Sequence, residues 1–338
     1  EEIWYPKHLS LEQCSSEITA RYKARLLQGD SLTDLTGGFG IDCSFLATGF
    51  KSATYVERQE ELCEIAAHNF PILNLNHINV RNEDGVAYLQ SMSPVDCIFL
   101  DPARRNEHGG KTVAISDCEP NVAELEALLL SKANRVMIKL SPMLDLSLAL
   151  KELKHTQEVH ILSVNNECKE LLILLGQTSP AEIAIHCVNL LTKGTQEEQH
   201  LVFTREQEQR SQCTYTDSLG DYLYEPNASL LKAGAFRSIA AAYPVRKLHP
   251  NSHLYTSDTF IENFPGRIFR IVNQCSFNKK EVKENLADLK KANVTVRNFP
   301  ATVTELRKRL HLTEGGDTYL FASTLNNGQK VIIRCEKV

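Results

Sequence analysis

The residues best placed to do chemistry follow the first short apolar run, residues 32–35. The segment continues with Thr36 and with glycines at positions 37, 38 and 40, and reaches Asp42. This pattern predicts a strand that passes through a glycine-rich turn into a helix. Because glycine has no side chain, the backbone of such a turn can approach a bound nucleotide closely. The segment therefore indicates a cofactor site of the nucleotide type.

Two classes of cofactor compete for this segment. The dinucleotide fingerprint G-x-G-x-x-G would begin at Gly38, but its third small residue falls on Cys43. Asp34, at the end of the strand, also suits a cationic ligand better than a pyrophosphate. S-adenosylmethionine carries an ammonium and a sulfonium and has no phosphate, so the residues favour it over a dinucleotide.

Further carboxylates follow the next two predicted strands. Glu57 ends the second strand and could accept hydrogen bonds from both ribose hydroxyls, while Asp84 follows the third and could accept from an adenine amino group. The carboxyl ends of parallel strands line one crevice of an open α/β sheet, so these groups are expected to meet. We assign cofactor binding to Asp34, Thr36, Gly37, Gly38, Gly40, Asp42, Glu57 and Asp84.

The fourth predicted strand, residues 96–100, runs into Asp101-Pro102-Ala103-Arg104-Arg105. The two arginines could lie on a base or grip a phosphate, or they could support the loop by salt bridges. Lys139, which ends the fifth strand, either contacts substrate or extends to solvent. Residues 106–111 contain two glycines and are interpreted as a loop that closes over substrate.

These motifs resemble the class I S-adenosylmethionine-dependent methyltransferases over residues 31–178, and especially the Asp/Asn-Pro-Pro-aromatic group that modifies exocyclic amines of bases. The resemblance implies that Asp101 and the carbonyl of Pro102 hold the target amine. We also assign a catalytic role to Arg104, which does not follow from the resemblance. Ala103 and Arg104 stand where that group has its second Pro and its aromatic residue, which leaves base stacking without its usual ring. Arg105 and Lys139 are assigned to the substrate.

The C-terminal part of the chain is basic, whereas the rest is acidic. Residues 240–338 carry 16 Lys and Arg against 9 Asp and Glu, or +7, whereas residues 1–239 carry 21 against 33, or −12. Residues 263–338 resemble the THUMP-like domain found behind such bacterial methyltransferases. That resemblance implies docking of tRNA or rRNA, and Arg307, Lys308 and Arg309 are candidate phosphate contacts. A solvated basic surface without a partner is the alternative.

The elements that position these residues are predicted from apolar periodicity. Strands and helices alternate over residues 31–178, which predicts a Rossmann-like α/β sheet, mostly parallel, with an antiparallel finish at residues 171–204. An amphipathic helix is expected over residues 10–27, with Ser10 as its N-cap and Gln13 three residues on. The predicted domains are residues 1–30 (helix), 31–210 (methyltransferase), 211–262 (connecting module, with one helix at 228–241) and 263–338 (a small α+β, ferredoxin-like or THUMP-like unit).

Composition excludes several classes of protein. No apolar run approaches the roughly 18 residues of a membrane helix. The ten cysteines include no CxxC pair and suggest free thiols in a cytoplasmic protein, and the eleven scattered histidines suggest no metal site. No context indicates an activated cysteine nucleophile. The first residue is Glu1 rather than Met, so a trimmed N-terminus is expected.

The sequence thus predicts a methyltransferase that uses S-adenosylmethionine to modify a base nitrogen of tRNA or rRNA. One alternative is a methyltransferase that acts on protein or a small molecule. Another is a non-catalytic RNA-binding protein that retains the fold. A nicotinamide-dependent dehydrogenase is disfavoured by Cys43 and Asp34.

Overall fold

The computed structural model describes residues 2–6, 14–104, 114–194 and 197–338. The chain divides into two compact units, Glu1–Glu198 and Gln199–Val338. The predicted domain boundaries after residues 30, 210 and 262 stay predictions. No helix within the described residues is both long enough and apolar enough to cross a membrane.

The N-terminal unit alternates strands and helices over most of its length, as the apolar periodicity predicts. Its helices are α1 (Glu17–Ala24), α2 (Ile41–Ala47), α3 (Glu60–Ile72), α4 (Gly85–Ser91), α5 (Val122–Lys132) and α6 (Leu146–Glu152). Its strands are β1 (Ser31–Asp34), β2 (Ser52–Glu57), β3 (Ile78–Asn82), β4 (Val95–Leu100), β5 (Ala103–Arg104), β6 (Cys118–Glu119), β7 (Ala133–Leu140), β8 (Thr156–Val164), β9 (Glu167–Gly176) and β10 (Ala184–Leu190). A strand β11 (Glu198–Phe203) follows at the boundary.

The main sheet of this unit runs in the order β10-β8-β9-β7-β4-β1-β2-β3. Its pairs are parallel except that β9 runs against both β7 and β8. The predicted α/β fold class with a largely parallel sheet is confirmed. The expected antiparallel finish holds for β9 but is wrong for β10, which pairs in parallel with β8. The prediction assumed that a strand without a helix before it pairs in antiparallel fashion with the preceding strand. In the structure β10 does not pair with the preceding strand, β9, but with β8.

The core of the N-terminal unit lies on both faces of this sheet. Residues 171–175 in β9 are fully buried and entirely apolar, as expected for a central strand covered on both sides. Such strands fix the sheet, so that the loops at their carboxyl ends are held in place around one cleft. That cleft is lined by the loops after β1, β2, β3, β4 and β7.

The N-terminal helix is shorter than predicted. Ser10 and Gln13 lie outside the described residues, and the described residues 14–16 are not helical, so α1 begins at Glu17 with Ser16 as its N-cap. The Oγ atom of Ser15 instead lies within hydrogen-bond distance of two carboxylates, 2.8 Å from Asp42 and 3.2 Å from Glu170, and its single O–H can donate to either. Contacts with the cleft, not helical propensity, therefore decide the backbone path at this point.

The C-terminal unit is an α+β structure. Its helices are α7 (Arg205–Arg210), α8 (Ala228–Ala233), α9 (Phe236–Ala242), α10 (Lys279–Leu286) and α11 (Val303–Leu310). Its strands are β12 (Tyr222–Pro226), β13 (Arg246–Lys247), β14 (Tyr255–Ser257), β15 (Gly266–Ser276), β16 (Asn293–Val296), β17 (Thr318–Thr324) and β18 (Lys330–Lys337), in the sheet order β13-β14-β12-β15-β18-β17-β16. The strands of the predicted connecting module therefore share a sheet with those of residues 263–338.

The single helix predicted over residues 228–241 is wrong, because the structure has two helices there. Gly234 ends α8 in the left-handed conformation, with φ +74°, and donates its N–H to the carbonyl of Leu230 at 3.1 Å. A glycine tolerates this conformation at the C-terminal end of a helix at little cost. The apolar periodicity continues across the break and conceals it.

The substitution Gly85→Ala tests how tightly the loops at the cleft are packed. A Cβ atom there would lie 2.2 Å from the carbonyl oxygen of Leu35, so we expect Gly85→Ala to lower the free energy of unfolding by about 1–3 kcal/mol. Gly49→Ala is the matched control. Its Cβ would lie no nearer than 3.8 Å to the carbonyl oxygen of Leu46, so the change is expected to be neutral or to stabilise by at most about 1 kcal/mol. Urea unfolding followed by circular dichroism measures both, and equal effects would contradict this interpretation.

Candidate functional site

The loop after β1 depends on its glycines for two different reasons. A Cβ at Gly37 would lie 2.3 Å from the ring of Tyr55, so there is no space for a side chain. Gly38 and Gly40 adopt φ values of +53° and +86°, which favour glycine. Beside Gly38 the nearest atom to a Cβ would be 3.7 Å away, so the backbone at this residue lines open space in the cleft.

Asp34 ends β1 inside the cleft and is only 1% exposed. Its carboxylate accepts a hydrogen bond from the backbone N–H of Thr36 at 3.0 Å. Burial and the neighbouring charges of Asp42 and Asp101 raise the pKa of Asp34 to about 8, against the lowering effects of this hydrogen bond and of Lys139. A cation placed beside Asp34 would favour the ionised carboxylate.

The two other predicted carboxylates, Glu57 and Asp84, also line the cleft, and each supports the local backbone. Glu57 accepts hydrogen bonds from the backbone N–H groups of Gly38 and Gln59, both at 2.9 Å. Asp84 caps α4, since one carboxylate oxygen accepts from the N–H groups of Val86 and Ala87, both at 3.0 Å. Both residues therefore shape the cleft, a role that the sequence alone did not reveal.

Lys139 lies inside the cleft and does not extend to solvent, because its side chain is only 10% exposed. Its Nζ lies 2.6 Å from Asp101 and 2.9 Å from Asp42, and donates to Ser15 Oγ at 3.1 Å. Although burial lowers it, these two carboxylates raise the pKa of Lys139 above its ordinary value. Desolvation raises the pKa of Asp101, and the charge of Lys139 opposes that rise.

A second buried lysine, Lys23 of α1, contacts two of the same groups as Lys139 and was not predicted from the sequence. Its fully buried Nζ lies 2.5 Å from Glu170 and 3.0 Å from Asp42, and donates to Ser15 Oγ at 2.9 Å. Lys23 lies on the same helical face as the buried Thr19 and Ala20, a position that could have marked it. We define Ser15, Lys23, Asp42, Asp101, Lys139 and Glu170 as the charge cluster.

Asp101 is linked directly to the glycine-rich loop. Its backbone N–H donates to Thr36 Oγ1 at 2.6 Å, so the residue after β4 is held beside the residue after β1. Pro102 is buried, and Ala103 and Arg104 form the short strand β5 paired with β6. Arg105 and the predicted substrate loop at residues 106–111 lie outside the described residues.

The predicted basic contacts belong to the C-terminal unit. Lys308 and Arg309 on α11 are exposed, while Arg307 is half-buried and pairs with Glu314 at 3.2 Å. The guanidinium of Arg309 lies 5.6 Å from the ring centre of Phe277. Of the three side chains, Lys308 and Arg309 are thus presented to solvent.

A group of potential metal ligands lies outside the cleft, and the expectation of no metal site stays a prediction. Glu158, His160 and His186 come together on the sheet in the described part of the chain. No spacing pattern marks this group in the sequence, because the two histidines lie on different strands.

Comparison with known proteins identifies the two parts of the C-terminal unit. Residues 222–265 match a ferredoxin-like domain family, and residues 266–337 match the THUMP domain-like family. No curated protein matches the sequence significantly.

Solved structures include a close relative from Porphyromonas gingivalis W83, described as a candidate methyltransferase. It is 38% identical, with a TM-score of 0.90 over 99% of this chain and 84% of its own. An rRNA methylase from Streptococcus thermophilus (14% identity, 47% and 93% coverage) and a candidate Streptococcus mutans methyltransferase in complex with SAH (12%, 47% and 96%) both have TM-scores of 0.34, too low to contribute. On the Porphyromonas relative and the C-terminal domain match, the chain belongs to the family of class I methyltransferases that carry a THUMP-like C-terminal domain.

Proposed function

We propose that the chain transfers a methyl group from S-adenosylmethionine to a base nitrogen of tRNA or rRNA. The observation that carries the proposal is the hydrogen bond between Asp101 and Thr36. It places the residue suited to hold an acceptor amine next to the loop suited to hold the cofactor. The THUMP-like domain and the +7 charge of residues 240–338 support an RNA acceptor, with Arg307, Lys308 and Arg309 as its contacts.

The charges of the cleft fit S-adenosylmethionine. Lys23 and Lys139 are set against the three carboxyl groups of the charge cluster, and Asp34 adds a fourth acidic group that a nearby cation would ionise, so the acidic groups of this set outnumber the basic ones. A ligand with an ammonium and a sulfonium relieves this imbalance, whereas a pyrophosphate would add to it. Asp34, Asp42, Glu57 and Asp84, with Thr36 and the three glycines, would hold the cofactor.

In the proposed reaction the cofactor supplies a methyl group already activated on its sulfonium. The protein contributes mainly positioning, because a correctly held nucleophile reacts without further activation. One oxygen of Asp101 is fixed by Lys139. The carboxylate would accept an N–H of the acceptor amine together with the Pro102 carbonyl, and it would take up the amine proton as the new bond forms. Its raised pKa makes Asp101 a better proton acceptor than an ordinary aspartate.

A second candidate is methyl transfer to an amine of a protein or small molecule. It is favoured by Arg104, which stands where the pattern has its aromatic residue and offers no aromatic ring against which a base could stack. If the chain were instead a non-catalytic RNA-binding protein, it would bind the cofactor without transferring a methyl group.

Asp101→Asn tests the role of Asp101. We expect methyl incorporation from labelled S-adenosylmethionine into total RNA of cells lacking the enzyme to fall by about 10²-fold or more, because the amide is a poor proton acceptor. Asp30→Asn, which alters an exposed aspartate paired with Lys51, is the control and should leave the rate unchanged. Label that appears in protein alone would support the second candidate, and cofactor binding without any label would support the non-catalytic alternative.

Asp34 makes cofactor binding depend on pH. Its carboxyl has a pKa of about 8 without a ligand, so it is mostly protonated at pH 7. A bound cation lowers that pKa, and binding should therefore release close to one more proton from the wild type than from Asp34→Asn. Calorimetry in buffers of different ionisation enthalpy measures the difference at pH 7, which should vanish well above pH 8. Equal proton release by both proteins would contradict a cation at Asp34.

Lys139→Met tests the link between Lys139 and Asp101. The charge of Lys139 opposes the rise in the pKa of Asp101, so removing it should raise that pKa further. Because the ionised carboxylate is the active form, the acid limb of the pH–rate profile should move to higher pH by about one unit or more. Lys139→Arg keeps the positive charge, so its acid limb should lie closer to that of the wild type. Lys51→Met, at an exposed lysine, should cause no shift. A lower rate with an unmoved acid limb would mean that Lys139 is only structural.

A further inference from the structure

Strands β8 and β10 bring two histidines and a glutamate together away from the cleft. In this parallel pair His160 lies opposite His186, and Glu158 precedes His160 by two residues on the same face of β8. Nε2 of His160 lies 3.3 Å, and Nε2 of His186 lies 3.5 Å, from the same Oε2 atom of Glu158. The three potential ligand atoms all lie within 4.8 Å of one another.

In two of these groups, Glu158 and His160, the atom on the far side is engaged by another residue. Oε1 of Glu158 accepts a hydrogen bond from Arg135, which leaves Oε2 directed at the histidines. Nδ1 of His160 lies 2.8 Å from the hydroxyl of Tyr22, so its Nε2 is the nitrogen that faces the glutamate. Metal-binding histidines and carboxylates are commonly oriented in this way by hydrogen bonds to their second atoms.

We infer that Glu158, His160 and His186 form a binding site for one divalent transition-metal ion of the zinc type. Ligand atoms at about 2.1 Å from a tetrahedral ion are about 3.4 Å apart, which the two measured separations match. Two imidazoles and one carboxylate suit zinc and its neighbours, whereas calcium and magnesium prefer oxygen ligands alone. Three protein ligands leave the fourth position of the ion to water.

The three ligand side chains differ in their exposure to solvent. His160 is buried, while the side chains of His186 and Glu158 are 20% and 26% exposed, so an ion can enter from the solvent side. The two rings are stacked at 4.2 Å with only 13° between their planes. Coordination of one ion therefore requires the ring of His186 to turn, while Tyr22 holds the ring of His160.

The site is independent of the proposed methyl transfer. None of its three residues lines the cleft, and Glu158 lies near the N-terminal end of β8 whereas the cleft meets that strand at Val164. A bound ion would join β8 to β10 and stabilise this part of the sheet, because it binds the folded chain in preference to the unfolded one.

The test uses the full chain without a histidine tag. Titration with Co²⁺ followed by visible absorption, then displacement by Zn²⁺, should show one ion per chain with a dissociation constant on the order of micromolar. The spectrum should lack a thiolate-to-Co²⁺ charge-transfer band, which separates this site from binding at cysteine thiols. His186→Ala and Glu158→Gln should each weaken binding at least tenfold.

His155→Ala is the matched control. His155 also faces a glutamate, with Nδ1 at 3.3 Å from Glu126, but this pair belongs to no three-ligand group among the described residues. The control should bind as the wild type does, and Zn²⁺ should raise the melting temperature of both. The inference is overturned if no ion binds with one-to-one stoichiometry, if the band of a thiolate appears, or if folded His186→Ala and Glu158→Gln retain wild-type affinity.

Discussion

The ion pairs that Lys139 and Lys23 make with Asp42 are the interaction on which the rest of the site depends. Asp42 lies in the first turn of α2, Lys139 near the end of β7 and Lys23 in α1, so a single carboxylate ties three elements together. Buried charges are tolerated only when they are paired, and removal of one partner leaves the other charge uncompensated. Asp101, which follows β4, and Glu170, in the first half of β9, complete the network. The relative positions of these elements are therefore set by electrostatics as well as by packing.

The same network accounts for the unusual state of Asp34. Both lysines are already committed to other carboxylates, so neither lies within ion-pair distance of Asp34 among the described contacts. Its carboxyl is buried and has a pKa of about 8, which means that the fold without ligand disfavours its charge. In the unfolded chain this carboxyl ionises near pH 4, whereas in the folded chain it stays protonated up to about pH 8. Its burial therefore lowers the free energy of unfolding as the pH rises from about 4 towards 8. A cationic ligand would return part of that stability.

Local patterns predicted the sheet and the main residues of the cleft. Asp34, Glu57, Asp84 and Asp101 each follow a strand whose apolar run is visible in the sequence, and parallel strands bring their carboxyl ends together. The direction of β10 and the approach of His186 to His160 could not be found in this way, since both depend on the pairing of distant strands. Lys23 was missed for a related reason, because its partners Asp42 and Glu170 are far away in sequence.

The departure of this chain from the Asp-Pro-Pro-aromatic pattern gains a physical interpretation from these contacts. In the pattern, the aromatic residue stacks on the base. Here Ala103 and Arg104 occupy the positions of the second Pro and the aromatic residue as part of β5, paired with β6. Asp101 is instead fixed from two other sides, by Thr36 at its backbone and by Lys139 at its side chain. In the proposed reaction the amine would thus be positioned without the second Pro, while recognition of the base ring would pass to other residues.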